Sequence, residues 1–372
     1  MSIIYFDNAA TTYKKPKEAI QKTLQFIRRG YGNPGRSGHS LSIKAAEIIY
    51  DTREAIADFL HYHKPENVVF YKNATEALNV AIKTCIPKGS HVLTSLMEHN
   101  SVLRPLYSME QDGLITLSFF SHKGNIEENI RNLIKDDTKA IVCSLVSNVT
   151  GEEIDLSVLS KIKKEKQLIL IVDASQMFAH KNIDLAQHEV DVLCTAGHKG
   201  AFGMQGVGFA VYNCNPERTY IEGGSGVLSF SHEMPHSLPE RMEAGTLSTP
   251  AIASLYYGLE YVRKNGIKNI EQRLNSLDTL LVQELRTIKG LKMLSEGHHG
   301  IHSFILNEER SSVTANKLEN YNIFVRSGFH CAPLIHQFYK TEETGAVRVS
   351  LSILNKEYEI YKLIKVLKKN KA

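Results

Sequence analysis

Residues 191–212 read DVLCTAGHKGAFGMQGVGFAVY, and the fold turns on this stretch. The apolar run 190–194 has the length of a buried strand. It stops at Gly197-His198-Lys199. A loop with Gly200, Gly203, Gly206 and Gly208 follows, and 207–212 predicts a second strand. A lysine at the end of a buried strand, flanked by glycines, is placed for partial desolvation. Desolvation lowers the proton affinity of an ammonium, and a neutral amine can form a Schiff base with a carbonyl. A surface lysine in a turn fits the same spacing, so the rest of the chain has to decide.

Upstream, strands and helices alternate. Strands are predicted at 67–72, 91–95, 114–120, 140–146 and 168–172. The last is almost purely aliphatic, as suits the centre of a parallel sheet. Crossover helices between such strands are right-handed and put every strand's carboxyl end on one edge. That edge would collect Thr75, His99, Asn148, Asp173, Gln176, His198 and Lys199. Asn73-Ala74-Thr75-Glu76 has the form of a capped helix start, where free N–H groups and the helix dipole favour an anion. Taken singly, each residue has a plain structural reading as a cap, a turn or a packed histidine. Their convergence carries the argument. Two helices precede this region. One, over 17–29, is spaced by Ile20, Leu24 and Ile27. The other, over 41–62, has Ile43, Ala46, Ile49, Ile56 and Leu60 on its expected apolar face. The loop between them offers Arg36 and His39 to a site.

Downstream, helices are predicted at 250–264, 270–288, 314–319 and 357–368, the last capped by Asn355. Strands are predicted at 301–306, 323–326 and 346–351. The fold class is therefore α/β. A large domain, 15–250, holds a mainly parallel sheet of the seven-stranded type, and a smaller α+β domain is formed by 1–14 plus 251–372. Within the smaller domain, Arg326-Ser327-Gly328-Phe329-His330-Cys331-Ala332-Pro333 puts a cysteine in a glycine-flanked loop beside Arg326 and His330. Cationic neighbours favour the nucleophilic thiolate. Arg348 lies on an apolar strand, where a buried guanidinium needs an anion, and a carboxylate matches its fork.

Bulk properties narrow the classes. The 372 residues carry a net charge of +4, with no basic stripe of interleaved aromatics, so nucleic acid is not an expected partner. The opening MSIIYFDNAATT lacks the cationic and apolar regions of a signal peptide, and no apolar run approaches the ~20 residues of a membrane span. The five scattered cysteines form no CxxC and predict reduced thiols in a cytoplasmic protein. No metal site is expected: Pro235 disfavours a helix that would pair His232 with His236, and His298-His299 has no suitably spaced further ligands. A dinucleotide-binding enzyme is disfavoured because no GxGxxG follows the first strand.

From Tyr5-Phe6-Asp7-Asn8-Ala9-Ala10 to the last helix, the motifs together resemble the class V aminotransferase family. They are closest to its cysteine desulfurase and selenocysteine lyase branch. The resemblance implies fold type I and pyridoxal 5′-phosphate (PLP). It implies that Lys199 is the Schiff-base lysine, that His198 and Thr75 bind phosphate, and that Thr246 reaches the phosphate of a second subunit in a homodimer. Asp173 would pair with the pyridine nitrogen, and Gln176 would bond the ring hydroxyl with Asn148 near it. His99 would stack on the ring and move protons. Arg348 would bind the substrate carboxylate, with Asn8, Ala9 and Arg326 also at the substrate. Cys331 would form a persulfide from L-cysteine, or act beside L-selenocysteine, and pass sulfur to an acceptor protein for iron–sulfur clusters or thiolated products. The R-x-G-x-H-C-A pattern is nearer the type II enzymes. The alternative is selenocysteine lyase or another class V lyase or aminotransferase; a non-catalytic protein on this fold is a further one. Ala196 stands where the family has Ser or Thr, Met204 where it has proline, and Leu247-Ser248 where it has Pro-Asn. One phosphate contact is then expected to be missing, since Thr195 should point to the other side of its strand.

Overall fold

The structure is a computed structural model that describes residues 3–35, 37–216 and 218–369. Arg36 lies outside the described residues. The first half of the chain runs β1 (Ile4–Tyr5), α1 (Lys17–Arg28), α2 (Ser40–Phe59), β2 (Val68–Tyr71), α3 (Ala74–Cys85), β3 (Ser90–Ser95) and α4 (Asn100–Gln111). It continues through β4 (Ile115–Phe120), α5 (Ile126–Arg131), β5 (Thr138–Ser144), α6 (Leu156–Lys166), β6 (Ile169–Asp173), α7 (Leu185–His188), β7 (Val192–Ala196) and β8 (Gly208–Tyr212). The remainder is α8 (Thr249–Asn265), α9 (Ile267–Leu285), β9 (Leu291–Met293), β10 (Ile301–Leu306), α10 (Ser311–Glu319), β11 (Ile323–Phe324), β12 (Arg326–Gly328), α11 (Pro333–Phe338), β13 (Ala346–Ser350) and α12 (Glu357–Lys369).

Seven strands form one sheet in the order β2-β8-β7-β6-β5-β3-β4. All neighbours are parallel except β8, which runs antiparallel to both β2 and β7. The glycine loop allows this reversal. A crossover helix would have returned β8 parallel to β7, whereas the short loop turns the chain back beside it. Alternate side chains feed two cores, as strand geometry requires. Phe70, Ile141, Leu170, Val172 and Phe209 face α1, α2, α6 and α8; Val69, Val142, Ile171, Val192 and Ala210 face α3 and α4. Gly208 opens β8 where α3 begins. A Cβ there would lie 2.4 Å from the Asn73 carbonyl carbon, so only glycine lets the strand meet the helix start so closely.

The first helix buries a different face from the one expected, while the second buries Ile49, Ile56 and Leu60 of the expected face. On α1 the buried residues are Ala19, Thr23 and Phe26, while Ile20, Leu24 and Ile27 are exposed. On α2, Ala45, Ile48, Ile49, Thr52 and Ile56 are buried, while Ile43 and Ala46 are exposed. Both helices pack on α8.

A second, four-stranded antiparallel sheet has the order β12-β13-β10-β9. The strand expected at 323–326 divides at Val325. β11 pairs in parallel with β1, and β12 pairs with β13. The N-terminal segment is thereby stitched to the far end of the chain: the Ser350 N–H donates to the Phe6 carbonyl at 2.6 Å. Ile4, Phe6, Leu277, Phe304, Val347 and Ile360 share one buried cluster. Asn355 is not the acceptor that caps α12. Its Oδ1 accepts from Ser352 N at 2.8 Å, and the Glu359 carboxylate reaches back to accept from Lys356 N at 3.0 Å. Among the described residues no helix is long and apolar enough to cross a membrane.

Candidate active site

The carboxyl ends of β3, β5, β6 and β7 open on a cavity of about 210 Å³. Thr75, His99, Asn148, Asp173, Gln176, His198 and Lys199 all line it, together with Ala9, Arg326 and Arg348. Asn8, Thr246 and Cys331 are not part of this lining. The Asn8 amide donates instead to the Ser350 carbonyl at 2.9 Å. Thr246 lines two other cavities, one of them beside Lys72 and Glu76 at the start of α3.

Lys199 follows β7 in a turn that is held from outside. Its carbonyl accepts from Thr12 Oγ1 at 2.8 Å and from Phe202 N at 3.0 Å. Burial lowers its ammonium to about 8; Asp173 opposes this, and the charges of Arg348 and Arg326 add to it. Asp173 ends β6, and one of its oxygens accepts from Ser175 N at 2.8 Å. Beside Lys199, the His198 Nδ1 lies 3.0 Å from Thr11 Oγ1. Burial lowers His198 to about 4, helped by Lys199 and Lys15, so its ring is neutral.

His99 is the N-cap of α4, with Nδ1 accepting from Ser101 N at 3.1 Å. Burial lowers it to about 4 against the pull of Asp173. A neutral ring that accepts at Nδ1 carries its proton on Nε2. At the head of α3, Asn73 Oδ1 accepts from Glu76 N at 2.9 Å, and Glu76 accepts from Lys72 N at 2.7 Å. This is the capped start expected from the sequence, and it places Thr75 in the first helical turn, where backbone N–H groups are free for an anion.

Across the cavity, Arg348 Nη2 donates to Asp7 Oδ1 at 2.5 Å, and Nη1 donates to the Asn148 carbonyl at 2.8 Å. Asn148 Nδ2 donates to the His330 carbonyl at 2.8 Å, and Gln176 Nε2 to the Ala9 carbonyl at 3.0 Å. Asn148 thus joins the strand-end cavity to the Cys331 loop. That loop is built unusually: His330 and Cys331 take consecutive positive φ values of 51° and 58°. The Cys331 carbonyl accepts from Asn100 N at 2.7 Å, its side chain is exposed, and an Arg326 nitrogen lies 3.7 Å from its Sγ. His330 is not a cationic neighbour. It is buried, its Nε2 lies 3.1 Å from the Ala346 carbonyl, and burial holds it well below the usual histidine range. Arg326 supplies the positive charge near the thiol.

The residues present suit a ligand bearing an anion and a polar ring. Ser175 and Arg348 line the cavity, and Ser175 Oγ and Arg348 Nε are themselves buried with no hydrogen-bond partner. Ala196 also lines the cavity, while Thr195 Oγ1 is buried elsewhere without a partner, so the hydroxyl one residue away does not replace it. Four residues gained a place here that the sequence reading had not given them. Asp7 is the partner of Arg348, and Lys15 Nζ donates to the His198 carbonyl at 2.8 Å. Ser175 and Glu98 are buried at strand ends. Asp7 and Ser175 each adjoin or lie within a motif that had been read, which was the available signal. Among the described residues no group of three or more His, Cys, Asp or Glu could hold a metal ion.

The family model "Aminotransferase class-V" matches residues 4–363. The chain belongs to this family. A curated relative from Pyrococcus abyssi, described as a probable cysteine desulfurase, is 31% identical over 98% of this chain and 93% of its own length. A cysteine desulfurase from Wigglesworthia glossinidia brevipalpis is 28% identical over 99% of this chain and 92% of its own length. Among solved structures, the apo cysteine desulfurase from Thermococcus onnurineus matches with a TM-score of 0.87 and 26% identity, over 99% of this chain and 94% of that one. The α/β class V fold with its large, mostly parallel sheet is therefore the fold of this protein.

Proposed function

We propose that this class V protein is a PLP-dependent cysteine desulfurase whose chemistry is divided between the Lys199 cavity and the Cys331 loop. One observation carries the reading: a half-buried lysine with a lowered ammonium shares a cavity with Asp173 and two arginines, while an exposed cysteine is tied to that cavity through Asn148 and Asn100. PLP, when bound, supplies a protonated ring that stores the electrons released at the substrate Cα.

The chain's own residues do the rest. Asp173 would hold the proton of the ring nitrogen, and Gln176 would bond the ring hydroxyl. Thr75, the first turn of α3 and His198 would bind the phosphate. His99 would face the ring, with its Nε2 proton available for transfer. Arg326 and Arg348 take the carboxylate of L-cysteine, Arg348 being held in place by Asp7 and the Asn148 carbonyl. The Lys199 amine carries the Cα proton. The Cys331 thiolate bonds to the substrate sulfur as the Cβ–S bond breaks, and the released pair at Cβ takes a proton. L-cysteine and the enzyme thiol thereby become L-alanine and a Cys331 persulfide. An acceptor protein or thiol removes the outer sulfur from the exposed loop.

We read the protein as a homodimer. Exposed Ile20, Leu24 and Ile27 on α1, Ile43 and Tyr50 on α2, and Leu228 and Phe230 suit burial against a second copy. Thr246 lies outside its own Lys199 cavity, which suits a reach toward the partner's phosphate. An odd number of scattered cysteines with no CxxC spacing supports a reading of a reducing, cytoplasmic setting. The chain divides into a large lobe over 15–250 and a smaller one over 1–14 plus 251–372, and the packing of α8 on α1 and α2 favours an upper bound at Asn265 for the large lobe.

The test is release of alanine and sulfide from L-cysteine by the PLP-loaded protein, with and without a thiol reductant. Alanine and sulfide rising together, with turnover dependent on the reductant, is the expected result. A lysine-bound yellow protein that makes no alanine would remove cysteine as the substrate.

A further inference from the structure

Glu98 follows β3 and precedes His99, yet nothing in the proposed mechanism uses it. Its side chain is 0% exposed. Its hydrogen bonds come from neutral donors: Ser95 Oγ, Ser144 N at 2.9 Å to each carboxyl oxygen, and Ser144 Oγ at 2.7 Å. An ionised carboxylate so far from water is costly without a cation, and a proton is the usual remedy. Ser144 is also the register partner of Asp173 across β5 and β6, so Glu98 sits one strand over from that acid. The titratable groups around it are Asp173 on β6, the Cys143 thiol on β5 and His99 next in its own chain. Burial pushes the Glu98 carboxyl up to about 7, against the bonds from Ser95 and Ser144, and the Asp173 charge adds to the rise.

We propose that Glu98 is a positioning residue: a buried carboxylic acid whose proton sets the charge behind Asp173, and so sets how firmly Asp173 holds the proton of the ring nitrogen. The second half rests on the cofactor reading above; the first half does not. Like charges raise each other's proton affinity. While Glu98 keeps its proton, Asp173 acts without a second negative charge behind it. When Glu98 ionises, the ring-nitrogen proton is held more tightly. Ser95 accepts the Glu98 proton in the neutral form and donates to the carboxylate in the ionised form, so the pocket accommodates both.

The experiment uses infrared difference spectra of cofactor-free wild type, E98Q and D173N, from about pH 5 to about pH 9. A protonated-carboxyl band is expected in wild type at the acid end. It should fade near neutrality and be absent from E98Q. In D173N it should fade roughly one pH unit lower, because the neighbouring charge is gone. The D173N series stands by itself if E98Q does not fold. In the PLP-loaded protein, the absorbance titration of the lysine-bound cofactor should shift down by roughly one unit in E98Q. A merely structural role for Glu98 would leave that midpoint in place. Absence of a wild-type protonated-carboxyl band at every pH, a D173N series superimposable on wild type, or an unmoved E98Q midpoint would overturn the proposal. If wild type takes up no PLP, the cofactor reading fails, and the infrared series alone decides whether Glu98 carries a proton beside Asp173.

Discussion

The Lys199 cavity and the Cys331 loop do different work and are built in opposite ways. Lys199 is half-buried in the cavity wall: its carbonyl is bonded by Thr12 and Phe202, and Asp173, Arg326 and Arg348 line the same cavity. Cys331 has an exposed side chain on a firmly held backbone. Two successive residues with positive φ, neither of them glycine, cost on the order of 1–2 kcal/mol each. They are held by Asn100 N on the Cys331 carbonyl and by the Ala332 to Phe329 turn. Enclosure perturbs an amine and excludes water, which proton transfer at Cα needs. Exposure on a fixed backbone suits a group that must take sulfur from one side and give it up on the other.

The sharpest break in this comparison is K199A. Alanine formation from L-cysteine should fall by at least about a thousandfold, and the lysine-bound cofactor band should disappear. The same burial has a sign in stability. The folded-state ammonium is lowered from 10.5 to about 8, so between those values the unfolded chain binds more protons. The cofactor-free protein should therefore gain stability as pH rises through that window. K199M lacks this group, so it should exceed wild type by about 3 kcal/mol below pH ~8 and lose the advantage by pH ~10.5 in denaturant titrations. A constant difference across pH would mean that the amine is solvated.

Cys331 gives the converse. C331A should lower sulfur transfer from L-cysteine by at least about a hundredfold and leave the cofactor band intact, since the thiol does not line the cavity. Loss of both together would show that the two regions are a single structural unit. Arg326 is the residue between them, lining the cavity and lying within 3.7 Å of Sγ. R326Q should raise the KM for L-cysteine roughly tenfold and leave the lysine-bound cofactor band in place.

The contrast between the regions also governs what could be read in advance. The strand-end residues were legible because a parallel sheet brings every carboxyl end to one edge, so order along the chain becomes position in space. The capped start at Asn73 was legible because its partner Glu76 is three residues away. The surroundings of Cys331 were not, since the neutrality of His330 depends on Ala346 and on burial by distant elements. The Asp7–Arg348 pair joins residues 341 positions apart and has no local signal. On α1, both the Ala19-Thr23-Phe26 face and the Ile20-Leu24-Ile27 face have helical spacing, and only packing on α8 decides which is buried. The burial of Glu98 has no local signal, since its carboxyl group is held by Ser144 on β5, 46 positions away. The two-residue strands β1 and β11 are too short for periodicity to register.

The smallest expected effect on turnover concerns Ala196 on the cavity wall. A196S adds one oxygen at a position that is 4% exposed and lines the site. A hydrogen bond to a charged phosphate oxygen contributes about 1.5–3 kcal/mol net. The dissociation constant for PLP, measured by loss of the cofactor band on dilution, should therefore fall roughly ten- to a hundredfold. Alanine formation at saturating PLP should change little, since the phosphate lies away from the reacting atoms. Weaker binding in A196S would mean that the wall has no room for the hydroxyl and that the contact is supplied elsewhere. Ser175, whose Oγ is already buried without a partner, is the residue to test next: S175A should then weaken PLP binding by a similar factor, and A196S and S175A together should be non-additive if both hydroxyls address the same ligand.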